Sequence, residues 1–158
     1  MMSDAATPDT AMLRESREAP AAVARLIAGN GALTAALGER LRRDPPRFAV
    51  TCARGSSDNA ATFAKYLFEI RLGVVTASVG PSISSVYQAK LRVADALFLA
   101  ISQSGRSPDL LHLAESAREE GATTVAVVND AASPLADLSE VVLPLHAGPE
   151  RSVAATKS

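Results

Sequence analysis

Two hydroxyl-rich segments contain the residues of this chain that are best suited to chemistry. The longer one, Ser102-Gln103-Ser104-Gly105-Arg106-Ser107, lies between an apolar run and a helix-like segment, and the shorter one, Gly55-Ser56-Ser57, follows another apolar run. Serine hydroxyls are rotatable donors, and the N–H groups at a helix N-terminus attract anions. One such turn is more often a simple helix cap, but two of them indicate a binding site for an anion.

The anion is predicted to be a single phosphate on a small organic molecule. The loops contain no lysine, and the chain has neither G-x-x-x-x-G-K-[ST] nor G-x-G-x-x-G, so nucleotide binding has no motif support. Gly55 and Gly105 would allow the backbone to approach the ligand closely. Both loops follow strands, and ligands of doubly wound sheets bind at the carboxyl ends of the strands. We therefore expect the two loops to form one phosphate-binding site.

Alternating strands and helices are predicted to position these loops. Apolar runs followed by amphipathic segments indicate a parallel sheet that is covered on both faces. The predicted fold class is α/β, a three-layer αβα sandwich with a five-stranded parallel sheet. The predicted strands are 48–53, 74–78, 96–102, 123–128 and 141–145, and the predicted helices are 58–72, with Phe63, Leu67 and Ile70 on one face, and 109–120.

Residues outside this pattern form the two ends of the chain. Residues 1–11 are polar and small and are predicted to be a disordered lead-in. Residues 12–45 predict two N-terminal helices, interrupted at Pro20 and separated at Gly29-Asn30-Gly31. Pro149-Glu150-Arg151 predicts the first turn of a further helix, so a chain ending at Ser158 is expected to be truncated.

Composition argues against several classes of partner. The chain has 16 basic and 17 acidic residues and a formal charge of −1, which does not favour nucleic acid or an anionic membrane. No signal peptide and no apolar run near the length of a membrane span is predicted, so we expect a cytoplasmic protein. The single cysteine, Cys52, is predicted to be a core residue, and His112 and His146 have no partners at ligand spacing. No metal or cofactor is expected.

Three segments, in this order, resemble the sugar isomerase (SIS) domain family. They are Gly55-Ser56-Ser57, Ser102-Gln103-Ser104-Gly105-Arg106-Ser107 and Ala147-Gly148-Pro149-Glu150-Arg151-Ser152-Val153-Ala154-Ala155-Thr156-Lys157. The stretch from Met12 to Pro20 is similar to the opening of the isomerase half of glutamine:fructose-6-phosphate amidotransferase. The resemblance covers residues 12–158 and places the SIS domain at 46–158, the first of a tandem pair.

The resemblance implies a flavodoxin-like sheet and assigns roles to individual residues. It places Glu150 and Val153 beside the sugar. The phosphate-binding positions that it implies are Ser56, Ser57, Ser102, Gln103, Ser104 and Ser107. Ala155 and Arg106 differ from the serine and glutamate that are usual in the synthase, and Arg54 lies in a turn that is more compact there. These differences favour the SIS-type glucosamine-6-phosphate deaminases.

The implied function is to bind a hexose or hexosamine 6-phosphate within an aminosugar-phosphate isomerase or deaminase that acts by aldose–ketose isomerisation. Proton transfer between two carbons needs a positioned base, and the family carries that base in its second SIS domain. His146 and Glu150 are the only catalytic candidates here. The resemblance also implies a homodimer. A non-catalytic sugar-phosphate sensor remains an alternative of a different class.

Overall fold

The computed structural model describes residues 10–152 and 155–158 as a sheet with helices on both faces. Predictions that concern residues 1–9, including most of the lead-in, lie outside the described residues. The strands are β1 (Phe48–Ala53), β2 (Thr76–Ser78), β3 (Ala96–Ser102), β4 (Thr123–Val128) and β5 (Val141–Pro144). The helices are α1 (Ala11–Arg43), α2 (Ser57–Leu67), α3 (Ser82–Ser85), α4 (Pro108–Glu119) and α5 (Pro134–Leu138).

All five strands are parallel and lie in the order β2-β1-β3-β4-β5. This is the strand order of flavodoxin-like folds, so the predicted fold class is confirmed. The order reverses direction between β1 and β3, which are adjacent in the sheet. The loops that follow these two strands are the two serine loops, and they therefore lie side by side at the switch point.

Two apolar layers hold the helices on the sheet. On one face, Phe98 and Val128 pack with Leu110 and Leu113 of α4 and with Leu135 of α5. On the other face, buried residues of β1, β3 and β4 pack with the partly buried side chains of α1 and α2 that lie over them. The central strand β3 is buried along its whole length, as expected for a strand that is covered on both sides.

The N-terminal helices are a single 33-residue helix, so the predicted break at Gly29-Asn30-Gly31 was wrong. The Asn30 side-chain amide donates to the carbonyl of Leu26 within the helix and to that of Pro144 at the end of β5. The tertiary bond to Pro144, together with packing, outweighs the helix propensity lost at the two glycines, about 1 kcal/mol for each. Pro20 also lies inside α1 and does not end it.

Helix α2 ends five residues earlier than predicted and continues as a π-helical turn, Phe68–Leu72. Phe63, Leu67 and Ile70 share a face as predicted, but that face is exposed. The sheet is contacted instead by Ala61 and Phe68, which lie on another side of the helix. Helix α2 and its π-helical turn therefore have two apolar faces, and one of them is exposed among the described residues.

The segment after β5 does not begin a helix in the residues described, 145–152 and 155–158, so that prediction was also wrong. Its backbone N–H groups bond to carboxylates instead of forming a helical ladder. Glu15 of α1 accepts the N–H of Arg151, and Glu150 accepts the N–H groups of Thr156 and Lys157.

One helix of the described residues, α1, is long and apolar enough to cross a membrane by length and composition alone, although its sequence holds no uninterrupted apolar run of that length. A helix of a globular fold passes the same test, so the evidence for a membrane span is weak. The C-terminal half of α1 packs on the sheet through Leu37 and Leu41.

Candidate functional site

The two serine loops line one cavity at the carboxyl ends of β1 and β3. Its volume is about 240 Å³. All six side chains assigned to phosphate by the resemblance line this cavity. The lining residues are Arg54, Gly55, Ser56, Ser57, Ile101, Ser102, Gln103, Ser104, Ser107 and Leu110. Hydroxyls, a side-chain amide and a guanidinium thus surround a space suited to a small polar ligand.

The longer loop is fixed by bonds from its own backbone. The Ser102 hydroxyl accepts the N–H of Gly105 at 3.1 Å, and the carbonyl of Gly105 accepts the N–H of Leu135 at 3.1 Å. Gly105 has a φ of 63°, which favours glycine, and a Cβ there would lie 2.2 Å from the hydroxyl oxygen of the fully buried Ser133. The loop is therefore preorganised by its contact with the N-terminus of α5.

Arg54 brings positive charge to the cavity, although its loops contain no lysine. Arg54 lines the cavity, and its guanidinium lies 2.9 Å from the carboxylate of Asp109 in the first turn of α4. This ion pair joins the shorter loop to the first turn of α4. The sequence did not reveal this ion pair, because Asp109 is 55 positions away from Arg54.

A second ion pair lies beside the longer loop. Arg106 contacts the carboxylate of Asp130 at 2.8 Å, and the backbone N–H of Ala132 donates to the other oxygen of that carboxylate. The bond from Arg106 and then the bond from Ala132 hold the pKa of Asp130 below its ordinary value. Asp130 therefore remains charged over the physiological range and keeps Arg106 paired.

Cys52 lies in the strand that leads to the shorter loop, and it is a core residue as predicted. Its side chain is fully buried. Burial raises the pKa of its thiol to about 12, and the carboxylates of Asp109 and Asp58 add to the increase. A thiol in that state is protonated at neutral pH, so Cys52 has no nucleophilic role in the site.

Asn129 connects the longer serine loop with the segment after β5, and sequence reasoning missed it. Its backbone N–H donates to the carbonyl of Gln103 at 3.1 Å. Its side chain accepts the N–H of Ala147 at 2.9 Å and donates to the carbonyl of Gly148 at 2.8 Å. An asparagine directly after an apolar strand was the available signal. The segment from Ala147 onward thus starts at the same edge of the sheet as the cavity.

The remaining candidates lie apart from the cavity lining. The imidazole of His146 faces Gly29 of α1, where an added Cβ would lie 2.5 Å from its Nε2 atom. Glu150 does not line the cavity, and its carboxylate accepts the N–H of Lys157 at 2.8 Å. Val153 lies outside the described residues. His112 lines a different cavity, where its Nδ1 atom lies 2.9 Å from the hydroxyl oxygen of Ser84.

Metal-binding side chains do not cluster in the part of the chain that the structure describes. Among these residues, no three histidine, cysteine, aspartate or glutamate side chains are arranged to hold an ion.

The family described as the SIS domain matches residues 46–158, a range that includes both serine loops and the segment after β5. The chain belongs to the SIS domain family. The family match begins just before β1, so α1 precedes the matched SIS domain and packs against it.

Curated relatives of this SIS domain include glutamine–fructose-6-phosphate aminotransferases (isomerizing). The protein of Streptomyces coelicolor is 36% identical over 155 residues, which cover 93% of this chain and 25% of the relative. The protein of Campylobacter jejuni is 39% identical over 107 residues, which cover 68% of this chain and 18% of the relative. The chain thus spans a quarter or less of the length of these two relatives.

Solved structures share the fold over nearly the whole chain. A protein of Silicibacter pomeroyi that is provisionally named a phosphosugar isomerase is 50% identical with a TM-score of 0.87, covering 94% of this chain and 45% of that one. The C-terminal domain of glucosamine-fructose-6-phosphate aminotransferase from Francisella tularensis is 26% identical with a TM-score of 0.79, covering 95% and 43%. The matched regions cover 94% and 95% of this chain and are therefore longer than the SIS domain at residues 46–158. Helix α1, which precedes that domain, is thus part of the shared structure.

Proposed function

We propose that this SIS domain binds a hexose or hexosamine 6-phosphate and serves an aminosugar-phosphate isomerase or deaminase. The observation that carries the proposal is the cavity in which both serine loops meet. A phosphate dianion needs several donors, and five serine hydroxyls and the Gln103 amide line one space. The relatives named above for a fructose-6-phosphate aminotransferase and a phosphosugar isomerase support the same substrate class.

Arg54 contributes a charge to the proposed phosphate site. Hydrogen bonds to a charged group are stronger than bonds between neutral groups, and a guanidinium can bind an anion with two N–H groups. Arg54 is already paired with Asp109, so the net field at the cavity stays modest. Such a site fits a monophosphate better than a highly charged polyphosphate.

The proposed chemistry beyond binding is aldose–ketose isomerisation, in which a base moves a proton between C1 and C2 of the opened sugar. Neither His146 nor Glu150 lies in the cavity lining. We therefore assign the described residues to holding the phosphate end of the substrate. The base would lie on a further SIS domain, either in the same protein or in a partner.

A binding and turnover assay tests this function. The protein is titrated with glucosamine 6-phosphate and with glucosamine, and ammonia and fructose 6-phosphate are followed with and without glutamine. We expect saturable binding of the phosphorylated sugar only. Ammonia release without glutamine would support a deaminase, and binding without any turnover would support a sensor. Absence of binding to the phosphorylated sugar would contradict the proposal.

We also propose that the protein is a homodimer, and the exposed face of α2 supports this. What we term the α2 apolar stripe comprises Phe63, Tyr66 and Leu67 of α2 and Ile70 of the π-helical turn that continues it, with exposures of 65%, 59%, 40% and 72%. Residues three and four positions apart lie on one side of a helix, and such a stripe can pack antiparallel on its own copy about a twofold axis. Phe63 and Tyr66, at 65% and 59% exposure, can bury about 100–150 Å² each, against about 800 Å² per partner in a standard interface.

Replacing Ile70 with glutamate is expected to convert the dimer into a monomer without unfolding it, because the side chain is exposed in the single chain. Sedimentation equilibrium measures the change. Val86→Glu is the matched control, since Val86 is 68% exposed and lies after α3, outside the stripe. A wild-type monomer, or a dimer that persists in Ile70→Glu, would contradict this proposal.

A further inference from the structure

Asp109, in the first turn of α4, is a carboxylate beside the proposed phosphate site that phosphate binding does not need. It does not line the cavity, but Ser107 and Leu110, on either side of it in sequence, both do. Its side chain is only 21% exposed. A fixed carboxylate next to an anion site opposes binding, because like charges repel. The position of Asp109 therefore calls for an explanation.

The Asp109 carboxylate already occupies two donors. Its Oδ2 atom lies 2.9 Å from Nη1 of Arg54, which lines the cavity. Its Oδ1 atom accepts the backbone N–H of Leu110 at 3.0 Å. The N–H groups in the first turn of a helix have no partner within the helix and are the ones that attract an anion. Pro108, which begins α4, has no N–H to offer. Asp109 therefore acts as a resident anion at the N-terminus of α4.

The charges around the cavity limit the anion that it can hold. Among the described residues that line it, Arg54 is the one with a charged side chain, and Asp109 compensates that charge. Asp58 brings a second carboxylate in the first turn of α2. Burial raises the pKa of the Cys52 thiol, and the carboxylates of Asp109 and then Asp58 raise it further, so both fields reach the strand that ends at the shorter loop. Each further negative charge on a ligand therefore adds repulsion without gaining a matching cation.

We propose that Asp109 is a specificity-determining residue, which limits the site to a ligand with a single phosphate group and selects against anions of higher charge density. It does so by holding the Arg54 guanidinium and by placing a carboxylate next to the cavity. This inference rests on the proposed function, because it concerns the site to which the phosphate was assigned. It goes further by naming the residue that discriminates against pyrophosphate and similar ligands.

Removing the carboxylate of Asp109 has two opposing effects, and their sizes decide the sign of the result. The ion pair holds Arg54 only weakly, because the arginine side chain is 61% exposed and water screens the interaction. A released guanidinium can bind a phosphate directly with two N–H groups. The repulsion between Asp109 and the ligand disappears at the same time. We therefore expect tighter binding, with the larger gain for the ligand of higher charge.

The test titrates wild-type protein and Asp109→Asn with inorganic phosphate, pyrophosphate and glucosamine 6-phosphate. Asparagine has the same shape, its amide oxygen can still accept the Leu110 N–H, and the cavity lining is unchanged. We expect the affinity for the two monophosphates to rise about threefold to tenfold and that for pyrophosphate to rise at least about thirtyfold. Isothermal titration calorimetry at low salt measures all three affinities. The gains should shrink at high salt, because salt screens the repulsion that the substitution removes.

Asp58→Asn is the matched control. It removes the same charge from the first turn of α2, which also begins at the cavity, but Asp58 is exposed and Arg54 stays paired with Asp109. Because solvent screens an exposed charge, the ratio of pyrophosphate to phosphate affinity should change by less than about twofold. Arg54→Gln removes the cation and leaves Asp109 unpaired, so it should weaken the binding of all three anions and of pyrophosphate most. Urea unfolding checks that each variant is folded.

The outcomes separate this inference from the proposed function. Unchanged or weaker binding in Asp109→Asn, an equal gain for phosphate and pyrophosphate, or the same gain in Asp58→Asn would overturn the role of Asp109. Saturable binding of glucosamine 6-phosphate by the wild type would leave the proposed function intact in each of these cases. If the wild type binds inorganic phosphate but not glucosamine 6-phosphate, the proposed function fails, and the comparison of phosphate with pyrophosphate still decides the role of Asp109. If neither the wild type nor Asp109→Asn binds any of the three anions, both proposals fail.

Discussion

Gly105→Ala is expected to destabilise the domain by about 2–5 kcal/mol, from about 1–2 kcal/mol for a side chain in the left-handed region and about 1–3 kcal/mol for overpacking. The φ of Gly105 is 63°, and an added Cβ would lie 2.2 Å from the Ser133 hydroxyl oxygen and 2.6 Å from its Cβ. Ser133 cannot move aside easily, because it is fully buried and its hydroxyl accepts the N–H of Ala136. Equilibrium unfolding in urea measures the difference in free energy of unfolding.

Gly55→Ala is the matched control for this prediction. Gly55 has a φ of 58°, but no atom lies within 4 Å of the position that its Cβ would occupy. It should therefore show only the conformational cost of about 1–2 kcal/mol. Equal destabilisation by the two substitutions would mean that the contact with Ser133 is not rigid, and that the longer serine loop is not held by α5 in the way described.

The sheet was predictable from sequence because most of its strands lie in runs of apolar residues. The run from Ala96 to Ser102 is buried at every position and cannot be confused with an exposed strand. The strand-to-helix alternation then required parallel pairing and crossovers. The serine loops followed from the same reasoning, since each directly succeeds one of these runs and the carboxyl ends of parallel strands meet at one edge.

Features that depend on contacts between distant residues were not predictable. The glycines in α1 resembled a helix break because their local propensity is poor, but Asn30 bonds to Pro144 and Gly29 leaves room for the ring of His146. The exposed apolar side of α2 is a similar case. Under the dimer proposal it is covered by a second copy of the chain, which the sequence of one copy does not reveal. Local pattern reports which faces are apolar, and does not report what covers them.

Polar side chains with distant partners posed the same difficulty within the candidate site. Arg54 and Asp109 form their ion pair between the shorter loop and the first turn of α4, and Asn129 joins the longer serine loop to the segment after β5. Glu150 was expected beside the sugar from the resemblance, whereas in the structure its carboxylate is bonded to the backbone of its own segment. Residue types were enough to identify the two serine loops. Which of the polar groups can bind a ligand depends on the hydrogen bonds and ion pairs that they form with residues distant in sequence.

Ser104→Asp is expected to weaken binding of glucosamine 6-phosphate by at least about a hundredfold, because two like charges about 4 Å apart repel by about 4 kcal/mol at an effective dielectric constant of about 20. Ser104 lines the cavity, and its hydroxyl accepts the N–H of Arg106 at 3.4 Å, a bond that a carboxylate can also accept. The substitution should therefore leave the fold intact. Isothermal titration calorimetry measures the affinity, and urea unfolding checks the stability.

Ser104→Ala separates the added charge from the lost hydroxyl. It removes at most one hydrogen bond to a charged group, so its expected effect is about 10-fold to 100-fold. The affinities of the two variants should differ less at high salt. Salt screens the repulsion in Ser104→Asp, whereas it does not restore the hydrogen bond that Ser104→Ala has lost. Equal affinities of Ser104→Asp and the wild type would exclude the phosphate from this loop. A loss in Ser104→Asp that salt does not reduce would instead indicate a local distortion, because only electrostatic repulsion between the carboxylate and the ligand responds to ionic strength.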